Sequence, residues 1–403
     1  MYTIQVDKTL LQFIKIFYQI GIWQRDEELN YRKIGRKILF TFFGALLPFF
    51  FATNAVLCAD RNESIFSVHI AIITAVVYVK FLYLLFKKRE ILAFLNDPIV
   101  VHSIEYREEY ERTNKKIKKF MGFVRPYFLA IFITVALIIL IKLPIFSTDK
   151  GLPLFISFSW NKSEIVYWLA YLMITVSLLL YCVVNSVTAL IWYIILNYSI
   201  EYELLGNKLK NVGGPTLTTI KKQGKNEKQK KIRKQELNPR TLNSVPQSKK
   251  FVENLIILVK AHRNITETIE RFRFCFSTLF LCQITTSGII ICVAVYCLAF
   301  GSHQNIVQTE YYVAELLYGI FDVFLVMYLA NDITVASDRL SYCLFESNWI
   351  EQTESCKKYV VIMGEVLKKP QQLMVLIYPM NLATFMRIIN GAYSMFNILK
   401  QFQ

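Results

Sequence analysis

About seven stretches of roughly twenty apolar residues, each long enough to carry an α-helix across a hydrocarbon core about 30 Å thick, constrain this chain more than any other feature. They lie at about 38–58, 67–86, 124–146, 165–196, 274–300, 312–332 and 373–399. Hydrocarbon offers the backbone no hydrogen-bond partner, so a run of this kind must satisfy itself as a helix. With 54% hydrophobic residues over 403 positions, the chain holds more apolar surface than one soluble core can use. The expected fold class is an all-α membrane protein with seven transmembrane helices.

Charge sets the orientation. Lys and Arg number 7 in residues 1–37, 9 in 87–119, 17 in 197–273 and 5 in 333–372, whereas the alternate loops hold only Arg61, Lys150 and Lys162. A basic excess marks the cytoplasmic side, so the N-terminus is expected inside. Two sequons, headed by Asn62 and Asn161, fall in the outer loops and agree, although Asn197 and Asn264 head others on the inner side. Residues 1–37 lack the short apolar core and small-residue site of a cleavable signal, so insertion is expected to begin at the first span. None of the eight cysteines falls clearly in an outer loop, and free thiols are expected.

The division that follows is a cytoplasmic N-terminal segment (1–37), helices 1–4 with an outer-half ligand pocket (38–200), a cytoplasmic stretch (201–273), helices 5–6 (274–332), a cytoplasmic helix (333–372) and a last, pore-lining helix (373–403). The fourth run, some 32 residues or about 48 Å of helix, exceeds the bilayer and should continue inward. Ile200, Leu204, Leu205 and Leu209 keep three-to-four spacing in that extension. Residues 251–272 and 333–368 are likewise helix-like with apolar faces that lipid cannot cover, and together they predict a cytoplasmic helical layer. Residues 212–250, with the basic run 221–234, are too polar to bury a core and read as disordered. That run is either a solvated loop or a contact with anionic membrane lipid. No aromatic residues interleave its charges, which argues against nucleic acid.

Enzyme signatures are missing: there is no P-loop, HExxH, GxSxG or CxxC pair, the four histidines are scattered, and no cofactor is expected. Ionisable residues inside spans each cost about 2.5–3.5 kcal/mol at the bilayer centre and so need a reason. Lys80 and Glu315 sit near span ends and read as snorkelling or interfacial pairs, while Asp322 is deeper and should meet protein or water. In the last span Asn381, Thr384, Arg387, Asn390, Ser394, Asn397 and Lys400 recur mainly at three-residue steps, a polar stripe suited to a pore lining or to interhelical hydrogen bonds. Tyr127, Phe132, Tyr167, Trp168, Tyr171, Tyr296 and Tyr312 read as aromatics of outer span ends. With few charges nearby they suit either an interfacial belt or a pocket for a small apolar ligand with one polar handle, expected to be a Tyr or Ser hydroxyl. The candidate ligand residues are His69, Ile73, Phe132, Val135, Tyr167, Tyr171, Met173, Tyr296 and Tyr312.

The C-terminal run Arg387-Ile-Ile-Asn390-Gly-Ala392-Tyr393-Ser394-Met-Phe396-Asn-Ile-Leu399-Lys400 resembles the insect odorant receptors, whose last helix commonly ends Ala/Ser-Tyr-Ser-aromatic-x-x-Leu-Arg/Lys. The plan of the whole chain is similar too: about 400 residues, seven spans, the N-terminus inside and a long basic inner loop before the fifth span. Gustatory receptors place Gln-Phe five residues after Thr-Tyr, whereas here seven residues separate Tyr393 from Gln401 and Ala392 replaces the Thr. A G-protein-coupled receptor would need the N-terminus outside, and no DRY-like triplet or NPxxY is present. The resemblance implies an odorant-gated, non-selective cation channel in the dendritic plasma membrane of sensory neurons. It implies a tetramer of a variable tuning subunit with a common co-receptor, a small apolar volatile bound in the outer halves of the second to sixth spans, and a pore lined by the last helix. Carried over on Tyr393, the co-receptor's constricting Val falls at Phe396, its filter Gln at Leu399 and its gate Leu at Lys400. All three differ, which implies a tuning subunit; the candidate pore residues are Ser394, Phe396, Asn397, Leu399 and Lys400.

The charge distribution yields a direct test of topology. An epitope tag at Met1 should be protected in intact cells and one after Gln403 accessible; an accessible N-terminal tag would reverse the orientation.

Overall fold

The computed structural model describes residues 2, 4, 6–24, 30–57, 61–96, 104, 106–141, 164–213, 244–300 and 306–401. Lys150, Asn161, Lys162, Cys58 and the basic run 221–234 lie outside the described residues. The helices are α1 (Lys8–Ile20), α2 (Asn30–Leu57), α3 (Arg61–Phe86), α4 (Lys88–Asn96), α5 (Arg107–Ile141), α6 (Glu164–Lys210), α7 (Ser244–Phe300), α8 (Ile306–Phe345), α9 (Glu354–Leu367) and α10 (Leu382–Gln401). Six of them, α2, α3 and α5–α8, are long and apolar enough to cross a membrane. With α10 they make a seven-helix membrane protein.

Length explains the second layer. α6 has 47 residues, α7 has 57 and α8 has 40, which is about 70, 85 and 60 Å of helix against a core of about 30 Å. What the bilayer does not take up runs on at the basic, inner side, where α9 packs back on α8 and α7. The helices α7 and α8 pass through 273/274 and 332/333 without interruption, so each joins a spanning part to the inner layer as one rod. α7 also begins at Ser244, inside the stretch 212–250 read as disordered.

α6 is the central column. It packs most extensively on α8 and also on α1, α3, α5 and α7. From Ser186 to Leu196 every residue is buried, as expected of a helix apolar all round and enclosed on all sides. Where α2 meets α3 the helices come so close that a Cβ on Gly44 would stand 2.8 Å from the Phe81 ring. The Gly44 carbonyl in turn accepts the Tyr181 hydroxyl of α6 at 2.9 Å.

The N-terminal segment is structured rather than a plain tail. Asp7 caps α1, accepting from Thr9 N at 2.8 Å, and Gly21 ends it at φ 86. Arg125 of α5 grips the same cap, with Nη2 at 3.2 Å from both Asp7 oxygens and Nε at 2.8 Å from Thr9 Oγ1. Although partial burial raises the Asp7 pKa, the bonds from Thr9 and Arg125 outweigh it and hold the carboxyl below its usual value. Trp23 then donates Nε1–H to the Leu84 carbonyl at 2.8 Å, fixing the segment to the inner end of α3. In the inner layer Lys116 of α5 bridges Glu203 of α6 at 2.8 Å and Asp332 of α8 at 3.1 Å. Burial lowers its pKa, but the two carboxylates prevail and leave it above the ordinary lysine value.

The last span starts later than its hydropathy suggests. Met374–Val375 (β1) and Tyr378–Pro379 (β2) pair antiparallel, and α10 begins only at Leu382. Pro379 has no N–H to donate to a helix, and Asn381 caps α10, its Oδ1 accepting from Thr384 N at 2.8 Å. The pore-lining segment expected over 373–403 is thus a hairpin followed by a helix of 20 residues.

Lys80 does not snorkel. It is 3% exposed, with Nζ 3.7 Å from Asp322 Oδ2 and donating to Thr188 Oγ1 at 3.2 Å. Gln283 Nε2 donates to the same Asp322 oxygen at 2.6 Å, so one polar knot joins α3, α6, α7 and α8. Breaking a buried pair strands a charge at about 3–5 kcal/mol, whereas removing both charges costs much less. Lys80→Met alone should sharply reduce the monodisperse receptor recovered in detergent, and adding Asp322→Leu should restore part of it; size-exclusion chromatography with a thermal ramp measures both.

Candidate functional site

The outer halves of α3, α5, α6, α7 and α8 carry the candidate ligand residues, and the structure sorts them by burial. His69 on α3 is 2% exposed, and Tyr312 on α8 lies 6.4 Å from it, ring to ring. Phe66, one turn from His69, meets Tyr311 and Tyr312 edge-on at 5.6 and 6.2 Å. His69 Nε2 lies 2.7 Å from Glu315 Oε2, and the Tyr311 hydroxyl reaches Oε1 at 3.5 Å. Glu315, read from the sequence as interfacial, is therefore buried, with His69 as its partner. Sequence reading named both residues but did not join them, since nothing in the linear pattern relates positions 246 residues apart.

On α6, Tyr167 and Tyr171 are buried with ring centroids 6.3 Å apart, and the Tyr171 hydroxyl donates to the Ile139 carbonyl of α5 at 2.8 Å. Ile73 and Val135 are half-buried. Met173 and Phe132 face outward, and Phe132, at 54% exposed, sits on the outer surface of α5 instead of in the interior. The alternation along α5 explains this, because only one stripe of a peripheral helix can face its neighbours. Tyr296 is half-buried and packs on Phe300 at 5.4 Å, which stacks in turn on Phe396 of α10 at 5.8 Å. Tyr296 thus belongs to the contact with the last helix.

Deeper lies a cluster that the sequence reading did not assemble. Tyr127, expected at an outer span end, stands beside Trp192 at 5.5 Å and Phe321 at 4.9 Å and stacks on Tyr318 at 6.1 Å. The orientation of α5 accounts for the difference: it begins on the inner side, so position 127 comes early in the crossing. Next to Tyr318 in sequence, one turn on, is Asp322 of the polar knot. Aromatic crowding around an intramembrane acid was the signal available, but its α5 and α6 members depend on packing.

α10 lies against α7 and α8 with one face and leaves the other open. Arg387, Asn390, Ser394, Asn397 and Lys400 are exposed, at steps of three and four that make one stripe. Phe396 is half-buried against α7, and the Leu399 side chain lies outside the described residues. A polar outward stripe is unsuited to lipid and suited to water or to another protein surface.

These features define a predominantly helical membrane-protein scaffold, in which an aromatic outer interior sits beside a last helix of mixed polarity. The family model of the 7tm Odorant receptor matches residues 61–393, most of the chain, and the protein belongs to that family, one of receptors and not enzymes. Among curated relatives, Odorant receptor 94a of Drosophila melanogaster is 27% identical over 248 residues, 61% of this chain and 56% of that protein. Odorant receptor 10 of Aedes albopictus is 22% identical over 149 residues, 36% of this chain and 39% of its own length. The matched part therefore spans about half, or less, of these relatives. The olfactory receptor OR5 of the insect Machilis hrabei shares the fold, with a TM-score of 0.72 at 12% identity over 98% of this chain and 100% of that one. The same receptor solved in complex with eugenol gives 0.71 at 15% identity, with the same coverage.

The contrast between the outward Phe132 and the bonded Tyr171 can be measured. Tyr171→Phe should lower stability by about 1 kcal/mol through the lost hydroxyl bond, and Phe132→Ala should change it by less than about 0.5 kcal/mol. Thermal melting of the purified receptor compares the two.

Proposed function

We propose that this chain is the odorant-binding tuning subunit of a heteromeric, odorant-gated, non-selective cation channel, acting at the plasma membrane of sensory-neuron dendrites beside a common co-receptor. The observation that carries the reading is the exposed polar stripe of α10, Arg387, Asn390, Ser394, Asn397 and Lys400, which stands beside exposed Met386, Tyr393, Met395 and Ile398 on a helix whose other face packs on α7 and α8. Lipid would penalise each of the polar groups, while a pore shared with other subunits would hydrate them. The inner layer supports association as well. A groove of about 600 Å³ between α7 and α9 is lined by Ile256, Val259, Tyr359, Ile362 and Val366, apolar side chains exposed where no lipid covers them.

The ligand is a small apolar volatile among the outer halves of the spans, with Tyr167, Tyr171, Tyr312 and His69 the interior members of the proposed set. That the related receptor was solved with eugenol supports this class of ligand for the present chain. Ser394, Asn397 and Lys400 are the proposed pore-side residues, with Phe396 behind them against α7.

Lys400 decides between a self-sufficient channel and a partnered one. Four ammonium groups around a narrow cation path, some 8 Å apart, would repel by about 2 kcal/mol per pair at an effective dielectric of 20. A single Lys among co-receptor subunits can lean toward headgroups or water. Expressed alone in oocytes, the chain should carry no odorant-evoked cation current, and co-expression with the co-receptor should restore it. In the heteromer Lys400→Glu should alter divalent permeation. Robust cation currents from the chain alone, in a verified co-receptor-free background, would overturn the assignment.

A further inference from the structure

We infer that His69 Nδ1–H is the polar handle for the odorant, and that the receptor therefore prefers volatiles carrying a carbonyl oxygen, such as ketones and esters, over hydrocarbons of the same shape. The inference rests on the odorant-binding reading above and adds to it a ligand class and the atom that reads it.

His69 Nε2 and Glu315 Oε2 share one hydrogen bond at 2.7 Å, and Nδ1 has no hydrogen-bond partner among the described residues. Imidazole and carboxyl can share that bond in three ways. In two of them the pair carries no net charge: an imidazolium donating to a carboxylate, or a neutral imidazole accepting at Nε2 from a carboxylic acid. Both place a proton on Nδ1. In the third a neutral imidazole donates from Nε2 to a carboxylate, which frees a lone pair on Nδ1 but leaves a net negative charge among Phe66, Tyr311 and Tyr312. His69 is 2% and Glu315 8% exposed, and the Tyr311 hydroxyl approaches only to 3.5 Å, so little compensates such a charge. Burial therefore favours the net-neutral forms, and in either of them Nδ1 is a donor.

A buried donor without a partner is costly, and a ligand acceptor that meets it recovers that cost. A ketone or ester carbonyl does so with no donor of its own to bury. An alcohol can accept as well but brings an O–H that needs its own partner, and a hydrocarbon leaves Nδ1–H unpaired. Glu315 acts here as a positioning residue: it does not touch the ligand but fixes which ring nitrogen carries the proton. The sequence favours a Tyr or Ser hydroxyl as the handle because a charge in such a site would bind odorants poorly, and a net-neutral His69–Glu315 pair meets that objection.

The test uses the receptor co-expressed with its co-receptor in oocytes. Dose–response curves are taken for methyl ketones of increasing length and for the matching alkenes in which C=CH2 replaces C=O. The ketones should be about tenfold more potent than their alkene isosteres. In His69→Phe/Glu315→Leu, which removes both polar partners together, the ratio should fall to within about twofold while the alkenes still activate; His69→Gln, which keeps an N–H donor, should retain part of the preference. Equal potency of ketones and alkenes in the wild type, or an undiminished ratio in the double variant, overturns the assignment of His69 and leaves odorant gating standing. A wild-type heteromer at the cell surface that no volatile in the series gates overturns the odorant reading and this inference with it.

Discussion

Hydrocarbon supplies no hydrogen bonds, and the architecture follows from meeting that constraint and then exceeding it. Helices satisfy the backbone within the bilayer, but α6, α7 and α8 run far beyond the thickness they need. Their surplus builds the inner layer without any separate domain, so the outer interior, the mid-membrane cluster and the inner groove are successive levels along the same rods. α6, buried on all sides from Ser186 to Leu196, is the column around which the others are placed.

Within that frame α3 and α8 are tied at two depths by buried polar pairs. His69 meets Glu315 in the outer half, and Lys80 meets Asp322 further in, where Thr188 and Gln283 bring α6 and α7 into the same knot. Each pair offsets the cost of placing an ionisable group away from water, and each fails if the helices slide by a turn. The two rungs therefore fix the register of α3 against α8. The lower one secures the bundle, while the upper one leaves His69 Nδ1 without a hydrogen-bond partner among the described residues.

The surfaces left open run opposite to what a solitary membrane protein requires. α10 turns a polar stripe away from its own bundle, and the inner layer turns apolar side chains toward water. Both anomalies disappear if other subunits surround a shared axis, which is why the proposed function is that of a subunit. On that proposal Lys400 would favour a mixed assembly, since one cation by a cation path is tolerable and four are not.

Much of the fold was legible in the sequence because it depends on local quantities. The apolar runs gave the helices, the excess length of the fourth run gave an inward extension, and Lys and Arg gave an orientation, all without knowing what packs on what. The last helix was misjudged at its start, because 373–381 is apolar enough to pass for a span while Pro379 and Asn381 place the N-cap later. The site was legible only in residue type. Aromatic side chains marked a candidate region, yet Phe132 and Tyr171 look alike in the sequence, and only packing turned one outward and gave the other the Ile139 carbonyl. Likewise His69, Lys80, Glu315 and Asp322 could each be picked out as an expensive charge, but their pairing rests on contacts across 242 residues or more. Hydrophobicity and charge density add up along the chain, so the sequence alone determined that this is a seven-helix membrane protein and which end is basic. Partnership between side chains does not add up along the chain, so only the tertiary structure decided which buried groups pair with one another and which polar atoms are left without a partner.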